Sequence, residues 1–443
     1  MNFDINQPLL GHFVTDSHEY YNSAENFYTN GVYSPDVRAP GLGIIYLLFR
    51  VLFSKTITLN IILVLQWFIS AIATYVLSIT ISSIVKKNRV FYFVFFLVSA
   101  THYIFTWNNF FLTDSLAISF FIFSIYYLQR FTETNLKKHL FWSGFFIAWC
   151  IFLRPVFLLF CGVICIYLLL HFLKTKFSFK TIFFYFLLYF SVFMFFDSAW
   201  VIRNYSVKNK IVLLNDIDGY TVISDKNPYP ALYAFMQSWG GDLEHQMFWF
   251  EPEMNTDYSM KDTTLPSYMY TSQFNRDSLY LVKKRFRAYN LTLKDSIIKL
   301  INASLNNFTQ SVKEEKPFLY YIETGIIYSK KIFLSGYGIF YATDKRYKDI
   351  TGFKKFAKIS NAILFYSIFF LGLLSSIWLL LRKTKPLLFL LIMVAYLNII
   401  FICFYFRVPE FRYLVPSIMV FVCLAGIALE KFTEKLQRKL TSA

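Results

Sequence analysis

Two carboxylates three residues apart, Asp16 and Glu19, stand near the start of a polar and aromatic stretch, TDSHEYYNSAENFYTNGVYSPDVRAPG at 15–41, in a chain that is otherwise mostly apolar. A third acid, Asp114, lies in FLTDSLAISFFIF at 111–123. A carboxylate in such a place can take the proton of a hydroxyl as that oxygen attacks an electrophile. The same residues can also be purely structural. Asp16-x-x-Glu19 ahead of a helical pattern has the form of a capping box, and Thr113-Asp114 can cap the helix behind it. Arginines recur at the ends of the apolar runs, as Arg38, Arg154, Arg203, Arg407 and Arg412. The guanidinium fork suits phosphate oxygens, which it binds bidentately. The other reading is snorkelling to headgroups or internal pairing, for example of Arg412 with Glu410.

Membrane helices are the elements that must position these groups. Of 443 residues, 56% are hydrophobic, 21% aromatic and only 16% charged, where a soluble chain carries about 25% charged residues. The apolar runs fall at 57–84, 90–106, 113–129, 138–153, 155–172, 180–201, 357–382, 386–407 and 413–430. They predict an all-α polytopic membrane protein of about nine spans. Strand-period alternation is absent, so a barrel is not expected. The net charge of +17 does not point to nucleic acid, because much of the basic excess sits in short connections between apolar runs. The five cysteines lie inside those runs with no CxxC pair, implying neither disulfide nor zinc site. His18 beside Asp16 has no partner at ligand spacing.

Basic connections alternate along the chain: KKNR at 86–89, RFTETNLKKH at 130–139, LKTKFSFK at 173–180, RKTK at 382–385, then the C-terminal tail. The positive-inside rule places these in the cytoplasm. The N-terminal segment, WNNFF at 107–111, Arg154-Pro155, the stretch 202–356 and RVPEFR at 407–412 then face outward. The predicted organisation is a first extracytoplasmic loop with an interfacial helix (1–56), transmembrane helices (57–201), an extracytoplasmic α-rich domain (202–356), and C-terminal transmembrane helices with a cytoplasmic tail (357–443). PGLGIIYLLFRVLFS at 40–54 is short for a span and carries Arg50, which fits a helix lying along the outer leaflet. Within 202–356, DSLYLVKKRFRAYN and LKDSIIKLINASLNNF have amphipathic helical patterns. The aromatic residues there either pack on the membrane or a glycan, or form a small aromatic core.

Several motifs follow one another in a meaningful order. An acid heads a short outward helix, a GVYS turn follows, and R-x-P-G enters the interfacial helix. FLTDSLAISFFIF, LRP at 153–155, WVIRNY at 200–205 and EFRYLVP at 410–416 come next. Together they resemble the GT-C glycosyltransferases that use polyprenyl-phosphate sugars, of the mannosyl- or aminoarabinosyl-transferase type, over nearly the whole chain. The resemblance implies Asp16 as the single catalytic base, with inversion at the anomeric carbon. It implies that Asp114, and more weakly Glu19, could help hold a divalent metal or position the acceptor. Arg38, Tyr20, Arg154, Arg203 and Arg412 become candidates to touch the substrate, with Arg203 and Arg412 favoured by motif. The implied partners are a polyprenyl-phosphate-linked sugar, a glycan, lipid or protein acceptor, and membrane lipids, with no nucleic acid. The implied location is a bacterial inner membrane, the site facing the periplasm or exterior. Two rivals stay open: a polymerase or ligase drawing on a diphosphate lipid, and a glycolipid flippase, which would show mid-membrane broken helices and internal repeats.

The GT-C resemblance also implies a transmembrane helix before the first acid, whereas MNFDINQPLLGHFV is too short and polar to span. The expectation is an in-frame apolar segment of roughly 20 residues encoded just upstream of the codon for Met1. Translation of that DNA checks it, and an in-frame stop directly before Met1 in a protein active as written would refute it.

Overall fold

The computed structural model describes residues 10–13, 15–34, 38–101, 106–209, 211–214, 227–241, 266–292, 295–334, 350–382, 384–408 and 410–442. The described chain is helical, and it divides into two compact units. The first comprises Met1–Asp216, Ile339–Asn398 and Leu414–Ala443, and the second Ile217–Gly338 and Ile399–Tyr413.

The first unit opens with α1 (Thr15–Asn30) and α2 (Gly41–Arg50). It continues with α3 (Lys55–Val85), α4 (Asn88–Ala100), α5 (Asp114–Thr134), α6 (Lys137–Leu153), α7 (Phe157–Lys174) and α8 (Phe179–Lys208). After the second unit's helices α9 (Tyr229–Trp239), α10 (Arg276–Thr292), α11 (Asp295–Glu315) and α12 (Thr324–Leu334) come α13 (Gly352–Leu380), α14 (Pro386–Ile400) and α15 (Val415–Ser442). Each predicted apolar run therefore contains a helix, with ends shifted by a few residues; for the run 90–106 the helix ends at Ala100, and 102–105 lie outside the described residues. Among the described residues, six helices are long and apolar enough to cross a membrane: Lys55–Val85, Phe157–Lys174, Phe179–Val207, Gly352–Leu380, Pro386–Phe406 and Phe411–Thr441. The other three of the nine differ for separate reasons. The 13 residues of α4 rise only about 20 Å against a hydrocarbon core of about 30 Å. Helix α6, with 17 residues, sits at the lower limit. Helix α5 has the length but carries Asp114, Arg130 and Glu133.

Helix α2 is a 10-residue element, about 15 Å long, which matches the expectation of a helix too short to span. In α1 the buried stripe is Ser17, Tyr20, Tyr21 and Ala24, one face of a 3.6-residue repeat. Phe27 has the helical spacing to join that face but is 48% exposed, lying in the last turn of the helix. Gly31 ends α1 at φ +70°, its amide donating to the Phe27 carbonyl at 2.9 Å, a left-handed stop that glycine takes without strain.

Small residues set the closest helix approaches in this unit, as expected where lipid removes the usual apolar driving force between helices. Ser124 on α5 and Ser143 on α6 each donate to the other's backbone carbonyl at 2.9 Å. A Cβ at Gly144 would collide with the Tyr189 carbonyl on α8, and one at Gly372 with that of Phe421 on α15. Buried Gln66 of α3 donates to the Leu112 carbonyl at 2.7 Å, and Trp67 to that of Asn108 at 2.9 Å. Those two bonds seat the 106–113 connection over α3. The segment before α1 is pinned to the same connection, with the His12 amide donating to Asn109 at 2.7 Å.

In the second unit, α10 and α11 occupy the predicted amphipathic stretches. Phe235, Trp239, Phe274, Phe286 and Leu305 form its core, and Phe274 stacks on Phe308 with centroids 3.8 Å apart. For these aromatics the core reading holds; the chain at 242–265 and the side chain of Asn290 lie outside the described residues. Predicted loop charge places this unit outside the cytoplasm. Ala303, exposed on α11, offers a test: Ala303→Cys should react with an impermeant maleimide in intact spheroplasts. Labelling that requires lysis would reverse the predicted orientation.

Candidate active site

Four of the segments singled out in the sequence meet in the first unit. Arg38 comes first. Its Nε donates to Glu19 Oε2 at 2.7 Å, and its Nη2 lies 2.7 Å from the same oxygen. Asp16 Oδ1 stands 3.8 Å from Nη2, within ion-pair range but beyond a hydrogen bond. The guanidinium carbon lies 5.3 Å from the centroid of the Tyr20 ring, a cation–π distance. Burial weighs against the Arg38 charge, but Tyr20, Glu19 and Asp16 outweigh it and hold the guanidinium above its usual pKa.

From Tyr20 the contacts run inward. Thr113 Oγ1 donates to the Tyr20 hydroxyl at 3.4 Å and accepts from Arg154 Nε at 3.2 Å. Arg154 Nη2 donates to Asp114 Oδ2 at 2.5 Å. Asp114 is 2% exposed and Arg154 9%, so this is a buried ion pair with its donors directed. Arg154 does need a counter-ion at that depth, and Asp114 supplies it. Asp114 is the first residue of α5 and not its cap. Helix α1 already includes Thr15, which puts Asp16 in its first turn, where a negative charge suits the helix dipole. Thr113 makes no side-chain capping bond to α5; its hydroxyl is taken up by Tyr20 and Arg154.

Local structure explains why Arg38 arrives here. A Cβ at Gly41 would sit 2.6 Å from the Phe152 carbonyl, so the start of α2 can press against the end of α6 only with glycine there. That contact lies two residues before Arg154. At the other end of α2, Glu25 of α1 takes Arg50 at 2.9 Å and 3.1 Å and the Tyr46 hydroxyl at 2.5 Å. Burial works against the Glu25 charge, yet the bonds from Arg50 and Tyr46 prevail and hold its carboxyl below the usual pKa. This three-residue lock was missed in the sequence, where Arg50 stood out only as a charge in an apolar run. No spacing rule links residues 25 apart across a turn.

Arg203, at the end of α8, also reaches the first loop. Its Nη2 donates to the Tyr33 carbonyl and its Nη1 to Asn204 at 2.8 Å. It lies 5.0 Å from the Trp200 ring, which meets Tyr33 edge-on at 5.4 Å. Arg412 belongs to the second unit, where it pairs with Glu410, the internal pairing weighed above. Arg407 is a brace in that unit, donating to the carbonyls of Phe404, Gln237 and Tyr320 at 2.9, 3.1 and 2.5 Å.

The carboxylates proposed for a divalent metal are engaged otherwise. Asp114 and Glu19 each hold an arginine, and exposed His18 meets the Tyr21 hydroxyl at 3.0 Å. Among the described residues, no three His, Cys, Asp or Glu side chains are grouped to hold an ion. This donor set does not fit a metal, and no step below is routed through one.

Acids and arginines from separate loops of a helical bundle are thus gathered in the first unit. Residues 40–216 match the model of the Alg9-like mannosyltransferase family, which together with the helical fold supports a membrane glycosyltransferase consistent with the GT-C type. The matched stretch takes in Thr113, Asp114, Arg154 and Arg203. Asp16, Glu19, Tyr20 and Arg38 precede it, and Arg412 follows it. No curated protein matches the chain significantly.

The buried pair gives a direct test. Asp114→Ala should destabilise the protein by about 3–5 kcal/mol by leaving Arg154 buried and unpaired. Asp114→Leu combined with Arg154→Met should recover most of that in thermal unfolding. Equal losses in the single and double variants would show that the two residues are not coupled.

Proposed function

We propose that the chain transfers a sugar from a polyprenyl-phosphate donor to a lipid-linked glycan, lipid A or a protein acceptor at the outer membrane face, with inversion and with Asp16 as base. The acceptor hydroxyl gives its proton to the Asp16 carboxylate as its oxygen bonds to the anomeric carbon. The bond from that carbon to the phosphate oxygen breaks, and the electron pair leaves on the lipid phosphate. Because phosphate departs as a stable anion, no second carboxylate is needed as general acid, unlike ordinary glycoside hydrolysis.

The observation that carries this reading is the unequal hold of Arg38 on the two acids. Glu19 accepts its Nε at 2.7 Å, whereas Asp16 stays 3.8 Å away on a side chain 26% exposed. A base must reach the hydroxyl it deprotonates, and Arg38 holds Asp16 less closely than it holds Glu19. Glu19 is then the residue that orients Arg38. Arg38, one-third exposed, and Arg203, beside the same loop, are the donor-phosphate candidates. Arg154 is an internal brace for Thr113 and Asp114. The family matched is named for mannosyl transfer, which makes a polyprenyl-phosphate mannose the first donor to assay.

Asp16→Asn should keep the fold, losing at most about 1 kcal/mol of helix-dipole stabilisation, while turnover falls roughly 10²-fold or more. Glu19→Gln should act on donor KM more than on kcat, because it loosens Arg38. Donor consumption by the purified full-length protein measures both, with thermal unfolding followed separately. Normal turnover in Asp16→Asn with a dead Glu19→Gln would move the base by three residues, and full activity in both would end the single-base mechanism.

A further inference from the structure

Along the line where α13 meets the C-terminal half of α15, a groove of about 330 Å³ opens. Leu374, Ile427 and Phe432 give it apolar walls, and Trp378, Lys431 and Lys435 line its other part. Leu374 and Phe432 are 65% and 67% exposed. On helices that cross a bilayer, such side chains look outward into lipid. Lys431 Nζ stands 3.6 Å from the Trp378 ring centroid, and the Arg382 guanidinium carbon 4.6 Å from it. Two cations therefore lie against one aromatic ring.

The charges acting on Lys431 are Lys87, Arg382, Glu430 and Glu434. Both acids are already taken by Lys87, Glu430 at 3.1 Å and Glu434 at closer range, and Glu434 also receives Arg438 at 2.6 Å. Among the described residues Lys431, Lys435 and Arg382 make no ion pair with an acid. A cationic cluster beside an apolar groove, on the side of the bundle that carries the basic loops, is complementary to a lipid with a negative headgroup. Its volume falls within the range of small-molecule sites.

We propose that this groove binds one anionic phospholipid, with the phosphate held by Lys431, Lys435 and Arg382 and an acyl chain laid along Leu374, Ile427 and Phe432. The site is separate from the acids and arginines of the first loops, and the proposal does not rest on the catalytic reading. The test uses purified full-length protein in zwitterionic detergent, with thermal unfolding and native mass spectrometry as readouts. Phosphatidylglycerol should raise the melting temperature and be retained as a one-to-one adduct, and phosphatidylcholine should do neither. Lys431→Gln with Lys435→Gln should weaken that binding roughly 10-fold or more. Lys137→Gln with Lys138→Gln, which removes two cations from another basic loop, should leave it unchanged. An undiminished adduct in the groove variant would overturn the proposal, as would equal loss in both variants or an equal response to phosphatidylcholine. A full response to glycerol 3-phosphate alone would also overturn it, showing a phosphate site rather than a lipid site.

Discussion

An arginine buried among helices in a membrane must find partners, and the packing of the first unit's loops is organised by how Arg154 finds Asp114. Desolvating either charge alone costs several kcal/mol, and only well-directed hydrogen bonds offset it. The pair at 2.5 Å therefore ties the start of α5 to the end of α6. Through Thr113 it reaches Tyr20, and Tyr20 lies against Arg38. A structural requirement of burial thus ends in a guanidinium, one-third exposed, flanked by two carboxylates. The inner end of this chain is buried and closely paired, and the Arg38 end is partly exposed.

The first loop is held at three further places, each by different physics. Glu25 locks α1 to α2 by charge and hydrogen bonds from Arg50 and Tyr46. Gly41 lets α2 approach the Phe152 backbone more closely than any residue with a Cβ could. Tyr33 gives its carbonyl to Arg203 and its ring edge to Trp200. A catalytic group needs such support, because a misplacement of about 1 Å can cost two orders of magnitude in rate. The described parts of this polar segment are thereby tied to the helices they rest on.

The cations sort by their surroundings rather than by type. Arg154 and Arg407 are consumed by internal partners, an acid in one case and three carbonyls in the other. Arg412 is paired beside Glu410. Lys431 and Arg382 lean on Trp378 with the nearby acids taken by Lys87. Position at a helix end could not separate these cases. An arginine at a boundary satisfies the same hydropathy pattern whether it braces the backbone or awaits a phosphate.

Hydropathy and loop charge alone determined the helices, the short α2, and the existence of a polar first loop, because lipid demands long apolar helices and little else. Gly31 as the stop of α1 was legible too, since a left-handed turn selects glycine. The acids and arginines could be named as candidates from residue type. Their roles were decided by tertiary structure: that Asp114 answers Arg154, that Glu19 rather than Asp16 takes Arg38 closely, that Phe27 faces out, and that Glu25 reaches Arg50. The reason is distance. Each of these contacts joins residues separated by a turn or by whole helices, and an ion pair depends on a few ångströms of approach that no local pattern encodes.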